Sequence, residues 1–250
     1  MSEQTSPPTL SGVPALPRST QFWWPRGCAL LAAALAPLPL ALDLKLGIGM
    51  ARTAPFVWSL SVLLVVVTLV LARRNRDRTL LRTVLVALFA GALATSTYDT
   101  FRIVGLNARV IPVDEALDFG YRLTGQVAPG AMQDAMGDQM NDATSGENQS
   151  AAQSHPEIAT LLGYLYHFWN GMMFSLAFLI LFGGHRWWLL MPLMALGMPM
   201  LYMLLVIYSG MVVVMGIHST GSFILEAVGH VAFGATLGVV SWAYLRGNAG

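Results

Sequence analysis

Charged side chains are scarce in this sequence of 250 residues: they make up 11% of the chain, while hydrophobic residues make up 55%. A soluble domain carries about 25% charged residues, which keep its surface hydrated. The shortage excludes a soluble enzyme, a disordered regulator and a nucleic-acid-binding module. The single cysteine, Cys28, excludes an intramolecular disulfide framework and a thiolate zinc cluster. The composition therefore predicts an integral membrane protein. Its expected partners include the lipid bilayer and exclude nucleic acid.

Motifs for nucleotide-driven or hydrolytic chemistry are also missing. The chain has no Gly-x-x-x-x-Gly-Lys-Ser/Thr loop, which argues against pumping driven by ATP. None of its serines lies in the Gly-x-Ser-x-Gly turn that exposes a nucleophile. The sequence favours a role other than catalysis.

Long apolar runs are what the sequence has instead. A helix needs about 20 apolar residues to cross the hydrocarbon core. Five runs are long enough, at 53–71, 83–106, 159–183, 187–208 and 221–245, and a shorter one at 27–42 continues past Asp43. These runs predict an all-α polytopic transmembrane helix bundle of about six spans. The predicted parts are a disordered tail (1–20), three spans (21–106), an acidic loop (107–158) and three further spans (159–250).

The few charges are segregated along the chain, and this predicts an orientation. The connection between the runs at 53–71 and 83–106 holds five arginines against one acid, Asp77: Arg73, Arg74, Arg76, Arg78 and Arg82. Basic loops stay on the cytoplasmic side of a membrane. The loop at 107–158 holds eight acids against Arg109 and Arg122, and it should lie outside. The prediction is a multi-pass membrane protein with both termini cytoplasmic.

Five ionisable residues lie within the predicted spans, where such groups usually face the bundle interior or a cavity. Counted at 1.5 Å per residue from the outer end of its run, each of these five residues lies roughly 6–13 Å deep in the membrane. Asp99 and Arg102 are spaced for an ion pair, and Glu226 and His230 share a helix face. The shared depth predicts an outward-facing polar pocket that binds or moves a small solute, proton or ion. Its predicted lining is Asp99, Arg102, His167, Asn170, Glu226 and His230.

Other interpretations of these residues stay open at this point. The polar groups would fix helix packing and nothing more in a purely structural subunit, with other membrane subunits as partners. Two histidines and two carboxylates would suit a transition metal, and two facing histidines would suit haem. That alternative is an accessory subunit of a redox complex, with His167, His230, Asp99 and Glu226 as candidate ligands; otherwise no cofactor is expected.

Methionine recurs every fourth residue in the acidic loop, at Met132, Met136 and Met140. On a helix over 131–143 this spacing forms one stripe, with Asp134, Asp138 and Asp142 forming another. The pattern predicts an amphipathic helix on the outer surface. Thioether ligands also suit Cu(I), so copper capture is the alternative.

Two spans repeat the pattern His-x-x-x-Gly-x-x-x-small. It reads His167, Gly171 and Ser175 in the run at 159–183, and His230, Gly234 and Gly238 in the run at 221–245. Small residues at this spacing let helices approach closely. The repeat comes either from ordinary packing or from a duplicated two-helix unit.

A family resemblance rests on the second half of the chain, over residues 159–246. His167 with Phe174-Ser175 in the fourth run, and Glu226-Ala-Val-Gly229-His230 in the last, carry it. With the Arg246 tail, this half resembles the YagU-like inner-membrane proteins, a bacterial family of unknown function. The resemblance implies the membrane architecture and the importance of Glu226 and His230, and it implies no reaction.

Overall fold

The computed structural model describes residues 23–111, 114–126, 156–183, 190–195, 197 and 220–246, and in these ranges every regular element is a helix. The all-α fold class is therefore confirmed for the described part of the chain. Residues 190–195 are helical as well. We number the other helices α1 (Trp23–Leu35), α2 (Leu38–Leu46), α3 (Met50–Arg74), α4 (Arg78–Asn107), α5 (Glu115–Thr124), α6 (Pro156–Phe182) and α7 (Thr220–Arg246).

Among the described residues, four helices are long and apolar enough to cross a membrane: α3, α4, α6 and α7. The shortest of these spans has 25 residues. That length corresponds to about 38 Å, against roughly 30 Å of hydrocarbon. The helices coincide with the predicted runs at 53–71, 83–106, 159–183 and 221–245. They are compatible with an integral membrane protein.

Helices α1 and α2 form a pair bent by 42°. The break falls before Pro37, which has no N–H to donate and whose ring blocks a continuous helix. Arg26 of α1 lies 3.5 Å from Asp77 at one end of the bundle. Asp43 of α2 lies 2.8 Å from Arg122 at the opposite end. The pair thus runs from one end to the other, and as one unit it adds a fifth, broken span.

The remaining predicted run, at 187–208, lies outside the described residues except for 190–195 and 197. The tail at 1–20 and the loop helix at 131–143, with Met132, Met136 and Met140, also lie outside them. The prediction of six spans and the methionine stripe therefore stay predictions.

The predicted acidic loop contains a helix, α5, that the sequence analysis did not anticipate. Asp114 caps its start by accepting a hydrogen bond from the Leu117 N–H at 3.2 Å, and Gly125 ends it with φ +68°. Burial lowers the pKa of the Arg122 guanidinium, but its hydrogen bonds to Asp118 and Asp43 outweigh burial and leave that pKa above its ordinary value. The ion pair of Arg122 with Asp43 fastens α5 to α2.

The two ends of the bundle differ in charge. A tight turn over 75–77 joins α3 to α4, and Asp77 accepts a hydrogen bond from the Leu80 N–H at 2.9 Å. We call this the basic end, because five arginines of α3, the turn and α4 cluster there: Arg73, Arg74, Arg76, Arg78 and Arg82. The opposite end, where α5 lies, is the acidic end.

Helix α4 is central, because both α6 and α7 pack along it. Gly91 of α4 meets Gly171 of α6, and a Cβ atom added to Gly91 would lie 2.7 Å from the Gly171 carbonyl oxygen. On α7, Gly234 and Gly238 face the helical residues 190–195, since Cβ atoms there would meet Met194 and Met191. In both repeats the glycines therefore allow close packing against another helix, which is α4 for Gly171 and the helical residues 190–195 for Gly234 and Gly238.

Candidate functional site

Asp99 of α4 and His167 of α6 meet inside the bundle. One carboxylate oxygen of Asp99 accepts hydrogen bonds from Arg102 Nε at 2.9 Å and from His167 Nε2 at 3.1 Å. The ion pair that the spacing of Asp99 and Arg102 allows is present, and Asp99 and His167 bring α4 and α6 into contact. Asp99 is 6% exposed, so these contacts replace water around its carboxylate.

Arg102 is the central cation of this site and is 1% exposed. Besides Asp99, its guanidinium donates to the Asp114 carboxylate at the start of α5. It also donates to the Tyr164 hydroxyl at 3.0 Å. A guanidinium presents five N–H donors in a fixed fork, which suits this set of acceptors. One side chain therefore connects α4, α5 and α6.

Tyr98 connects the fourth helix of the site. Its hydroxyl oxygen lies 2.6 Å from Glu115 of α5 and 2.6 Å from Glu226 of α7. Its ring packs against both imidazoles, with centroids 4.8 Å from His230 and 5.7 Å from His167. We call the whole group the polar cluster: Tyr98, Asp99, Arg102, Asp114, Glu115, Tyr164, His167, Glu226 and His230.

His230 makes its closest polar contact with its own helix. Its Nδ1 lies 2.8 Å from the backbone carbonyl oxygen of Glu226 and 3.9 Å from the carboxylate of that residue. A carbonyl oxygen can only accept, so Nδ1 carries the hydrogen of this contact. The backbone therefore orients the imidazole.

The predicted lining and the cluster differ at five residues, because the cluster lacks Asn170 and adds Tyr98, Asp114, Glu115 and Tyr164. Asn170 lies apart, since its amide donates to the Tyr166 carbonyl oxygen of its own helix at 3.0 Å. Asp114 and Glu115 belong to the cluster, although the sequence analysis counted them only as loop acids. The available signal was a capping residue directly before an amphipathic stretch, close to the end of a span.

The cluster holds more acid than base. Four carboxyl groups face one guanidinium, and three of the four are buried: Asp99, Glu115 at 5% exposure and Glu226 at 3%. Unpaired charge in a low-dielectric interior is strongly unfavourable. The cluster therefore needs additional positive charge, from protons or another cation.

Open space lies beside the cluster. A shallow cleft of about 580 Å³ at the start of α6 is lined by Glu157, Thr160 and Tyr164, among others. Tyr164 thus reaches both this cleft and Arg102. The Asp114 side chain, at 25% exposure, is the other accessible edge. The cleft touches the rim of the cluster, whose centre is closed.

The arrangement of donors does not favour a metal or haem. Within the described ranges, no group of three or more His, Cys, Asp or Glu side chains is placed to hold a metal ion. The ring of Tyr98 packs against both His167 and His230, where axial ligands of haem would need a shared open slot.

Comparison with protein-family models, curated proteins and solved structures gives no match for this chain.

Proposed function

We propose that this chain is an integral membrane protein whose polar cluster takes up protons at the acidic end and moves them through the membrane. One observation carries the proposal: the Tyr98 hydroxyl lies 2.6 Å from the carboxyl oxygens of both Glu115 and Glu226. Of the ligands considered from sequence, namely a solute, an ion and a proton, the proton is the one that this contact favours.

The argument is a count of hydrogens. A tyrosine hydroxyl has one hydrogen to donate, and an ionised carboxylate can only accept. Both distances are those of short O–H···O hydrogen bonds, and each needs a hydrogen between its oxygens. Tyr98 supplies one of them, so Glu115 or Glu226 must supply the other as a protonated acid. Tyr98, Glu115 and Glu226 together therefore hold two hydrogens, whereas one phenol and two ionised carboxylates would hold only one.

The charge balance supports the same conclusion. With all four carboxyl groups ionised, Arg102 would leave a net charge of about −3 on the cluster, and three of these carboxyl groups are buried, which is strongly unfavourable. The extra proton on the Glu115–Glu226 pair reduces this excess. Protons are therefore part of the folded cluster, and their number can change when it opens to water.

A path beyond the cluster is supported by buried hydroxyl groups. Ser175 of α6 and Ser241 of α7 are both 0% exposed, and their hydroxyls have no hydrogen-bond partner among the described residues. They lie about 12 and 16 Å along their helices from His167 and His230, toward the basic end. Buried polar groups of this kind commonly bind ordered water, which can pass protons between side chains.

A structural role is the second candidate, and one observation favours it. Arg102, Tyr98 and His167 join four helices through hydrogen bonds, which would lock the bundle as a subunit of a larger assembly. In that case the proton would be permanent. Movement of protons by the reconstituted protein separates the two candidates.

Infrared spectroscopy of the reconstituted protein tests for the trapped proton. At neutral pH we expect a protonated-carboxyl C=O band that shifts in D₂O. Glu226→Gln and Glu115→Gln should each remove it, since the single remaining carboxylate can accept the Tyr98 hydrogen. Glu157→Gln, an exposed glutamate on α6, is the matched control and should keep the band. If the wild type lacks the band, or if the two cluster variants retain it, the proposal is wrong.

The proposal includes an orientation and a location. The basic end would face the cytoplasm of a bacterial cell and the acidic end the outside, as the positive-inside rule predicts. Both termini would then be cytoplasmic. The resemblance to the YagU-like proteins remains part of this proposal, with Glu226 and His230 as the residues in common.

A further inference from the structure

A second cleft, of about 550 Å³, opens at the basic end, far from the polar cluster. Helices α1, α4, α6 and α7 surround it. Its polar lining comes from the start of α1, the start of α4 and the end of α7: Arg26, Arg78, Thr79, Arg82, Thr83 and Tyr244. Leu179 and Ile180 of α6 form an apolar wall. The cleft thus has a basic, hydroxyl-bearing part and an apolar part.

The charge of this cleft is positive. Among the described residues that line it, three carry guanidinium groups and none is an acid. Asp77, which caps α4, lies 3.5 Å from Arg26 at its edge, and the positive end of the α4 backbone dipole adds to the charge of the arginines. Arginine forks match the oxygens of a phosphate group, and threonine and tyrosine hydroxyls can complete its hydrogen bonds.

The position of the cleft indicates where such a phosphate would come from. Helix α1 begins beside it with Trp23 and Trp24, which are 74% and 78% exposed. Tryptophan at the end of a span is typical of the headgroup level of a bilayer. A ligand with a phosphate and an attached hydrocarbon chain fits both parts of the cleft, because Ile180 on its apolar side is only partly buried.

We propose that the cleft binds the phosphate headgroup of an anionic phospholipid from the leaflet at the basic end. Basic pockets between transmembrane helices bind such headgroups in other membrane proteins. Arg78 and Arg82 hold the phosphate, and Leu179 and Ile180 contact the first part of an acyl chain. The bound lipid fastens α1 to α4 at the end of the bundle opposite to the polar cluster.

Native mass spectrometry of the purified full chain tests this site. In micelles containing phosphatidylglycerol or phosphatidylcholine, we expect the wild type to retain phosphatidylglycerol preferentially. The double variant Arg78→Gln, Arg82→Gln should retain about tenfold less, equivalent to about 1.4 kcal/mol. The double variant Arg73→Gln, Arg74→Gln removes the same charge from exposed positions of α3 at the same end. It should behave like the wild type.

Three results would overturn the proposal. One is equal retention of the two lipids by the wild type. Another is an equal loss in both double variants, which would indicate only a general attraction to the basic end. The third is inorganic phosphate binding to the lipid-free protein as tightly as phosphatidylglycerol, which would make the chain irrelevant. Thermal melting in detergent checks that each variant is folded, and Arg82→Gln alone replaces the double variant if that one is not.

Discussion

Tyr98 has one exchangeable hydrogen and lies between two carboxyl groups, so Glu115 and Glu226 cannot both be ionised and both be hydrogen-bonded to it. A second shared atom, one carboxylate oxygen of Asp99, accepts from both Arg102 and His167. The titratable groups are therefore coupled in pairs, and removing one member changes the protonation of the other.

Arg102 should be the most sensitive residue of the cluster for stability. Replacing it by methionine keeps the approximate volume but leaves Asp99 and Asp114 without their cation, and a broken buried pair costs about 3–5 kcal/mol. We expect Arg102→Met to lower the free energy of unfolding in mixed micelles by that amount. The exposed Arg109→Met should change it by less than about 0.5 kcal/mol.

A double variant separates this interaction from general damage. Asp99→Asn with Arg102→Met should be less destabilised than the sum of the two single changes, because the uncompensated charge of Asp99 is gone. Strict additivity would mean that the ion pair contributes nothing.

Sequence alone predicts part of this site and not the rest. Asp99, Arg102, His167, Glu226 and His230 stand out because ionisable residues are rare within apolar runs. Asp114 and Glu115 do not stand out, since acids are common in an outer loop, and only the folding of α5 against α6 brings them to Arg102 and Tyr98. Asn170 is also a polar residue within a span, but its amide donates to its own helix backbone.

At the scale of helices, the bundle depends on glycines where two backbones approach. A Cβ added to Gly91 would lie 2.5 Å from Met172 Cα. A Cβ on Gly163 of α6 would collide with the Ala116 carbonyl oxygen of α5. These contacts set the spacing of α4, α5 and α6, and this spacing brings the side chains of the polar cluster within hydrogen-bonding distance.

Gly91→Ala should therefore destabilise the protein, although alanine is the better helix former. Overpacking at a close crossing costs about 1–3 kcal/mol. Gly27→Ala on α1 is the matched control, because a Cβ there meets nothing within 4 Å. It should be neutral or stabilising by up to about 1 kcal/mol. Equal melting temperatures for the two variants would contradict the close crossing.

The helices themselves follow from sequence to different degrees. The four long spans do, because their apolar runs are long and uninterrupted. The break between α1 and α2 was signalled by Pro37, but its angle depends on packing against α3 and α6. Helix α5 was missed because its acids were counted as part of an outer loop, and it forms where Gly120 and Gly163 allow it to lie against α6.

At the scale of the whole molecule, charge is separated along the axis of the bundle. The five arginines of the basic end and the basic cleft lie at one end, and the polar cluster, α5 and its acids lie toward the other. Large apolar side chains face outward between them, such as Phe56 and Val70 of α3, at 73% and 58% exposure. This surface suits lipid, and the polarity along the axis suits a protein that distinguishes the two sides of a membrane.

Proton flux through the reconstituted protein tests the central claim most directly. Liposomes containing a pH-sensitive dye receive a potassium diffusion potential that drives protons inward. We predict that the wild type and Glu157→Gln acidify the interior severalfold faster than Glu226→Gln, with all three proteins folded and inserted in equal amount. Acidification by the wild type no faster than that of protein-free liposomes, or unchanged in Glu226→Gln, would contradict proton movement through the polar cluster.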